Sequence, residues 1–141
     1  MKILKGKSGF TLVEIMIVVA IIALLAAIAI PSFSRMRISA NETAAVATLR
    51  TVSTAEEAYR AAQTVPTYTD FATLVADGYL DARFDGAAPE VRGYTLSFTV
   101  AAATNVYEVT SAPTAAGVTG VRTFVIDESG VIVDGNGDPI Q

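Results

Sequence analysis

The sequence predicts an α+β protein, with one long N-terminal helix followed by a small antiparallel sheet. Three observations carry this. Residues 10–30 are apolar apart from Thr11 and Glu14. Residues 45–62 keep apolar side chains at helical spacing, and from residue 93 the period changes to two. Each segment is justified below in chain order.

The run at residues 10–30 (FTLVEIMIVVAIIALLAAIAI) is long enough, at about 1.5 Å per residue, to cross the hydrocarbon of a bilayer as a helix. In lipid the backbone must satisfy itself, so helix is expected despite the many valines and isoleucines. Three lysines, Lys2, Lys5 and Lys7, precede the run and Arg35 and Arg37 follow it. That bias favours a cytoplasmic N-terminus. Glu14 is the unusual residue, because a carboxylate in an apolar span costs several kcal/mol, takes up a proton or finds a partner. The span holds no Lys, Arg or His. The counter-charge is therefore the basic tail, another molecule, or an amine created by cleavage between Gly9 and Phe10.

A short basic leader ending in Gly9, then Phe10, Thr11, Leu12, Val13, Glu14, an apolar helix and Pro31, resembles the prepilin signal of the type IV pilin and pseudopilin family, most nearly that of a bacterial major pilin. The resemblance implies cleavage after Gly9 by a prepilin peptidase and methyltransferase, N-methylation of Phe10, and pairing of Glu14 with the amino terminus of a neighbouring subunit. It further implies a homo-oligomeric helical filament, built at an inner-membrane assembly platform with its ATPase. The subunit waits in the bacterial inner membrane before assembly; afterwards it lies in a surface pilus or periplasmic filament. Many members carry a glycine in mid-span where this chain has Ala23.

On this reading residues 1–9 are a cleaved leader, 10–30 a transmembrane and assembly helix, 31–64 its amphipathic continuation and 65–141 a globular region. An ordinary secretory signal ending at Ala27-Ile28-Ala29 is the rival, and it releases a soluble binding domain beginning at Ile30. A secretion pseudopilin is the near alternative to a pilus subunit.

Past Pro31, expected to mark a kink rather than a stop, Ala45, Leu49, Val52, Ala55, Tyr59 and Ala62 line one helix face. The helix is expected to reach about Gln63 and to be ended by Val65-Pro66. Thr69-Asp70 suits the cap of a short helix over Phe71, Leu74 and Val75, with Gly78 as its stop. The stretch from Asp85-Gly86 to Pro89 reads as a surface loop. Tyr94, Leu96, Phe98 and Val100 then alternate with polar residues as a half-buried strand. A loop at residues 102–105 leads to a second strand over 106–110, a longer connection over 112–120, and a third strand over 122–126. Asp127-Glu128-Ser129-Gly130 turns the chain into Val131, Ile132 and Val133. Short adjacent strands of this kind make an antiparallel meander, which agrees with the fold the resemblance implies.

Composition narrows the function. Without cysteine, no disulfide staples the fold, and without histidine the usual general base and commonest metal ligand are missing. All three lysines precede residue 10, so beyond it seven arginines face 14 acids, a net of 7 − 14 = −7. A chain this acidic has no electrostatic footprint for nucleic acid. The acid pairs Asp127/Glu128 and Glu56/Glu57 read as solvated surface charge, so no catalytic residues are expected and the chain is not read as an enzyme. Lys5-Gly6-Lys7-Ser8 lacks the glycine and strand of a phosphate-binding loop. Asp134, Asn136 and Asp138 place oxygen donors at alternate positions, as calcium requires, but Pro139 follows where the loop needs glycine. A solvated terminal turn is the plainer reading, and no other cofactor is expected.

Overall fold

The computed structural model describes residues 9–101 and 105–140. The predicted leader up to Ser8, its lysines, the phosphate-loop fragment, residues 102–104 of the predicted loop and Gln141 lie outside these. Helix α1 spans Leu12–Ala62, and the short α2 spans Phe71–Ala76. A 3-10 turn over Ala82–Phe84 precedes five strands: β1 Glu90–Val91, β2 Tyr94–Ala101, β3 Val106–Pro113, β4 Phe124–Asp127 and β5 Ile132–Asp134. Internal contacts divide the chain into two units between Arg35 and Met36.

In the first unit α1 begins after Thr11 and is continuous through Pro31. No described side chain of this unit is buried. Pro31 lacks the N–H that would meet the Ala27 carbonyl, and three residues on Ser34 Oγ back-bonds to the Ile30 carbonyl at 3.2 Å.

In the second unit the strands pair in chain order, all antiparallel, as the alternation predicted. Register fixes which side chains face inward, because a one-residue slip would reverse every strand. Phe98 opposes Val109, which opposes Ile126, which opposes Ile132; in the next row Leu96 opposes Ser111, which opposes Phe124. These rows form one core with Ala45, Leu49, Val52 and Ala55 of α1 and Phe71 and Leu74 of α2. The predicted helix face is thus the packed one, although its last two members emerge: Tyr59 is half-buried and Ala62 exposed.

Boundaries differ where pairing extends a strand. β3 continues through Pro113 because β2 offers partners along its whole length, Tyr94 opposing Pro113. β1, unforeseen in the sequence, pairs Val91 with Tyr94. Asp70 caps α2 as predicted, its carboxylate accepting from Thr73 N at 2.9 Å. Gly78 leaves that helix at a φ of +79° that a side chain would strain.

With no disulfide to staple the fold, a polar contact fastens one of its connections. Glu42, nearly buried on α1, accepts from Val121 N and Arg122 N through Oε1, and from Arg122 Nε and Nη2 at 2.9 and 2.8 Å through Oε2. Asn41 Nδ2 donates to the Thr119 carbonyl, and Tyr94 OH to the Arg122 carbonyl. The β3–β4 connection is thereby fastened to α1. Gly120 is required there, since a Cβ at that position would sit 1.9 Å from the Tyr94 hydroxyl.

Candidate functional site

The predicted site is the start of α1. Gly9 and Phe10 are exposed and precede the helix, and a Cβ at Gly9 would meet nothing within 4 Å. Glu14 has a neutral hydrogen-bonding partner in its own first turn. Its Oε2 accepts from Thr11 N at 2.7 Å and from Thr11 Oγ1 at 2.8 Å, while Glu14 N donates back to Thr11 Oγ1 at 3.2 Å. This is a capping box, two free amides of the first turn satisfied reciprocally. The signal was present in the sequence as Thr-x-x-Glu before an apolar run, read there only as an isolated charge. A capping box neutralises no charge, so Glu14 remains a carboxylate without a cationic partner among the described residues.

Around it, Leu12, Val13, Ile15, Met16, Ile17, Val18 and the apolar residues as far as Ile30 are exposed, apart from a half-buried Ala26. By length and composition this helix can cross a membrane. Isolated exposed apolar side chains are ordinary, but a stretch such as residues 12–30, interrupted only by Glu14, matches no water-facing helix.

The calcium candidates form a tight turn. Asp134 Oδ1 accepts from Asn136 N at 2.9 Å and Asp138 N at 3.1 Å. Those amides, Asn136 first, hold its carboxyl below the usual carboxylate range. Among the described residues no three acidic, histidine or cysteine side chains are arranged to hold a metal ion.

Of the acid pairs read as solvated, Asp127, Glu128 and Glu57 are exposed, but Glu56 is not. Its side chain is fully buried, with Oε2 accepting from Thr69 N at 3.2 Å and Oε1 lacking any hydrogen-bond partner. Burial pushes its pKa up to about 7, against which the Thr69 amide acts in the opposite direction. The signal lay in the spacing: Glu56 stands four residues after Val52 and three before Tyr59, on the packed face of α1, whereas Glu57 falls off it.

Residues 4–30 match the prokaryotic N-terminal methylation motif. The chain is type IV pilin-like. It is 39% identical over 104 residues to the type IV major pilin protein PilA of Myxococcus xanthus, covering 74% of this chain and 41% of that protein. A fimbrial protein of Pseudomonas aeruginosa is 48% identical over 54 residues, or 38% of this chain and 35% of its own length. The type IV wide pilus major component PilA4 of Thermus thermophilus is 42% identical over 57 residues, covering 40% of this chain and 44% of that protein. The matched region thus spans less than half of each of these relatives. No solved structure matches significantly. The relatives are described as pilus and fimbrial proteins, which fits a chain that is not an enzyme.

Proposed function

We propose that this chain is a structural subunit of a type IV pilus-like filament. It waits in the inner membrane, held by residues 10–30 with its N-terminus in the cytoplasm. A prepilin peptidase cuts after Gly9 and methylates Phe10, and an assembly platform with its ATPase adds the subunit to a growing polymer of identical copies. The observation that carries the reading is the exposed apolar helix with one carboxylate near its start. Its side chains have lipid as one dry surrounding and copies of the same helix as the other. Moving between them changes little apolar exposure, so transfer from membrane to filament is chemically even-handed, and Glu14 supplies the preference. Cleavage makes an α-ammonium at Phe10, and a neighbour's carboxylate then has a cation to meet. The reading needs no cofactor.

The relatives' description as major pilins favours a pilus over a secretion pseudopilus. Mass spectrometry of sheared surface material is expected to find a polypeptide beginning at N-methylated Phe10. A mature protein beginning at Ile30 would end this reading in favour of a secreted soluble domain. Glu14→Ala is expected to insert in the membrane normally yet yield few filaments, scored by electron microscopy of the same cells.

A further inference from the structure

Glu56 lies outside everything proposed above and carries an inference of its own. It sits on α1 with its carboxyl wholly enclosed, one oxygen on Thr69 N and the other on nothing. Thr69 immediately precedes Asp70, the cap of α2, and α2 delivers Phe71 and Leu74 to the core. The carboxyl therefore grips the entrance of the segment that roofs this part of the fold.

Among the described residues, none of the groups around it forms an ion pair with it. On its own helix stand Ser53, Glu57 and Arg60; from the connection come Tyr68 and Asp70; from β3 comes Tyr107. Glu57 and Asp70 are acids, and both oppose ionisation of Glu56. Tyr107 OH is spent on Ser53 Oγ at 3.0 Å, and Tyr68 OH on Glu57 Oε1 at 2.8 Å. Arg60 is the cation at hand, one turn along α1: its Nη1 lies 3.5 Å from Glu57 Oε2 and its guanidinium stands 5.3 Å over the Tyr68 ring, while its Nε is buried without a hydrogen-bond partner and makes no bond to Glu56.

We propose that Glu56 is a pH-responsive latch: as a neutral acid it holds the Thr69 end of the connection onto α1, and on losing its proton it is expelled to water and frees that connection with α2. A buried charge with no counter-ion is removed by a local opening when the opening costs less than the charge. Such a latch makes the surface over residues 64–84 tighter in mild acid and looser in mild base, whatever the chain assembles into.

The sign follows from linkage. The folded-state pKa lies above the ordinary glutamate value of 4.5, so the stabilising effect is full below that value and is lost as pH rises through about 7. The test is hydrogen exchange of the full chain in detergent micelles at pH 5.5 and 8.5, corrected for the intrinsic pH dependence of exchange. Peptides covering residues 64–84 are expected to open on the order of tenfold more often at the higher pH. Glu56→Gln, which keeps the shape and the acceptor for Thr69 N, is expected to abolish that difference, and Glu57→Gln to keep it. A wild-type chain that opens equally at both pH values overturns the latch, because ionised Glu56 has then found Arg60 within the closed fold. A pH response that survives Glu56→Gln overturns it equally. Should Glu56→Gln fail to fold, carbon-13 titration of the wild-type Glu56 carboxyl decides: a midpoint near 7 supports the latch, and one near 4.5 removes it.

Discussion

Glu14 has two possible roles that a single deletion confounds. It closes the capping box with Thr11, and it carries the one negative charge in the apolar run. Glu14→Gln separates them, since an amide oxygen still accepts from Thr11 N but brings no charge. If charge pairing governs assembly, Glu14→Gln is expected to cut filament yield by about tenfold or more, the effect of losing some 1.4 kcal/mol per subunit contact. Thr11→Ala breaks the box instead, costs about 1 kcal/mol of local helix stability, and is expected to leave assembly near normal. The opposite pattern, with Glu14→Gln assembling and Thr11→Ala failing, would make Glu14 a helix cap and nothing more. Which residues are polar was plain from the letters. Helical spacing placed Glu42 and Glu56 on the packed face of α1, but what they would meet there was not legible, because their partners lie 79 and 13 residues away.

At the scale of elements, two carboxylates on α1 give the second unit opposite responses to pH. Burial alone would raise the Glu42 pKa, but the Arg122 side chain and the Val121 and Arg122 amides outweigh burial and lower it. Its contribution is therefore present above the ordinary value of 4.5 and is lost as pH falls below it, the reverse of Glu56. Thermal melts of the full chain in micelles are expected to peak near pH 4.5 to 5, to fall on the acid side as Glu42 is protonated, and to decline between about pH 5 and 7 before levelling off above 7, where Glu56 is ionised in both states. Glu42→Ala should flatten the acid limb and cost about 1–3 kcal/mol above it, since it strips four hydrogen bonds but leaves a half-exposed Arg122 that water can serve. A variant that lowers stability equally at every pH would show that the contact acts through packing rather than charge. The cap of α2 is a simpler device. Asp70→Ala is expected to cost about 1 kcal/mol, read as a fall in denaturant midpoint at unchanged slope. An unchanged midpoint would mean that Phe71 and Leu74 hold α2 without the cap. Helices, turns and strand alternation were legible because their signals are local: Asp70 and Gly78 bracket α2, and Gly130 closes the β4–β5 turn with its N–H on the Asp127 carbonyl at 3.0 Å. The extension of β3 to Pro113 was not legible, since it depends on the length of its partner.

For the whole molecule, the question is which surface can polymerise. Exposed sheet edges are the usual hazard, because unpaired amides and carbonyls template another strand. Here the edge strands are short, two residues in β1 and three in β5, and β5 is covered by its own tail: Val133 bridges Pro139, and Ile140 N donates to the Ile132 carbonyl. The exposed apolar side chains are instead concentrated before residue 36, where no described residue is buried, whereas the buried set begins only at Glu42. The amphipathic pattern made this division readable in outline, since an apolar run with no alternation has no use in a small core. A chain beginning at Met36 therefore keeps every side chain of the core. It is expected to fold in plain buffer with a stability within about 1 kcal/mol of the full chain in micelles, since it loses only exposed positions and some fraying at its new helix end. In sedimentation it should remain monomeric at concentrations where the full chain, once detergent is withdrawn, associates. A Met36 chain that self-associates as the full chain does would move the polymer contact from the apolar helix to the sheet-bearing unit, and Glu14 would then have no part in holding copies together.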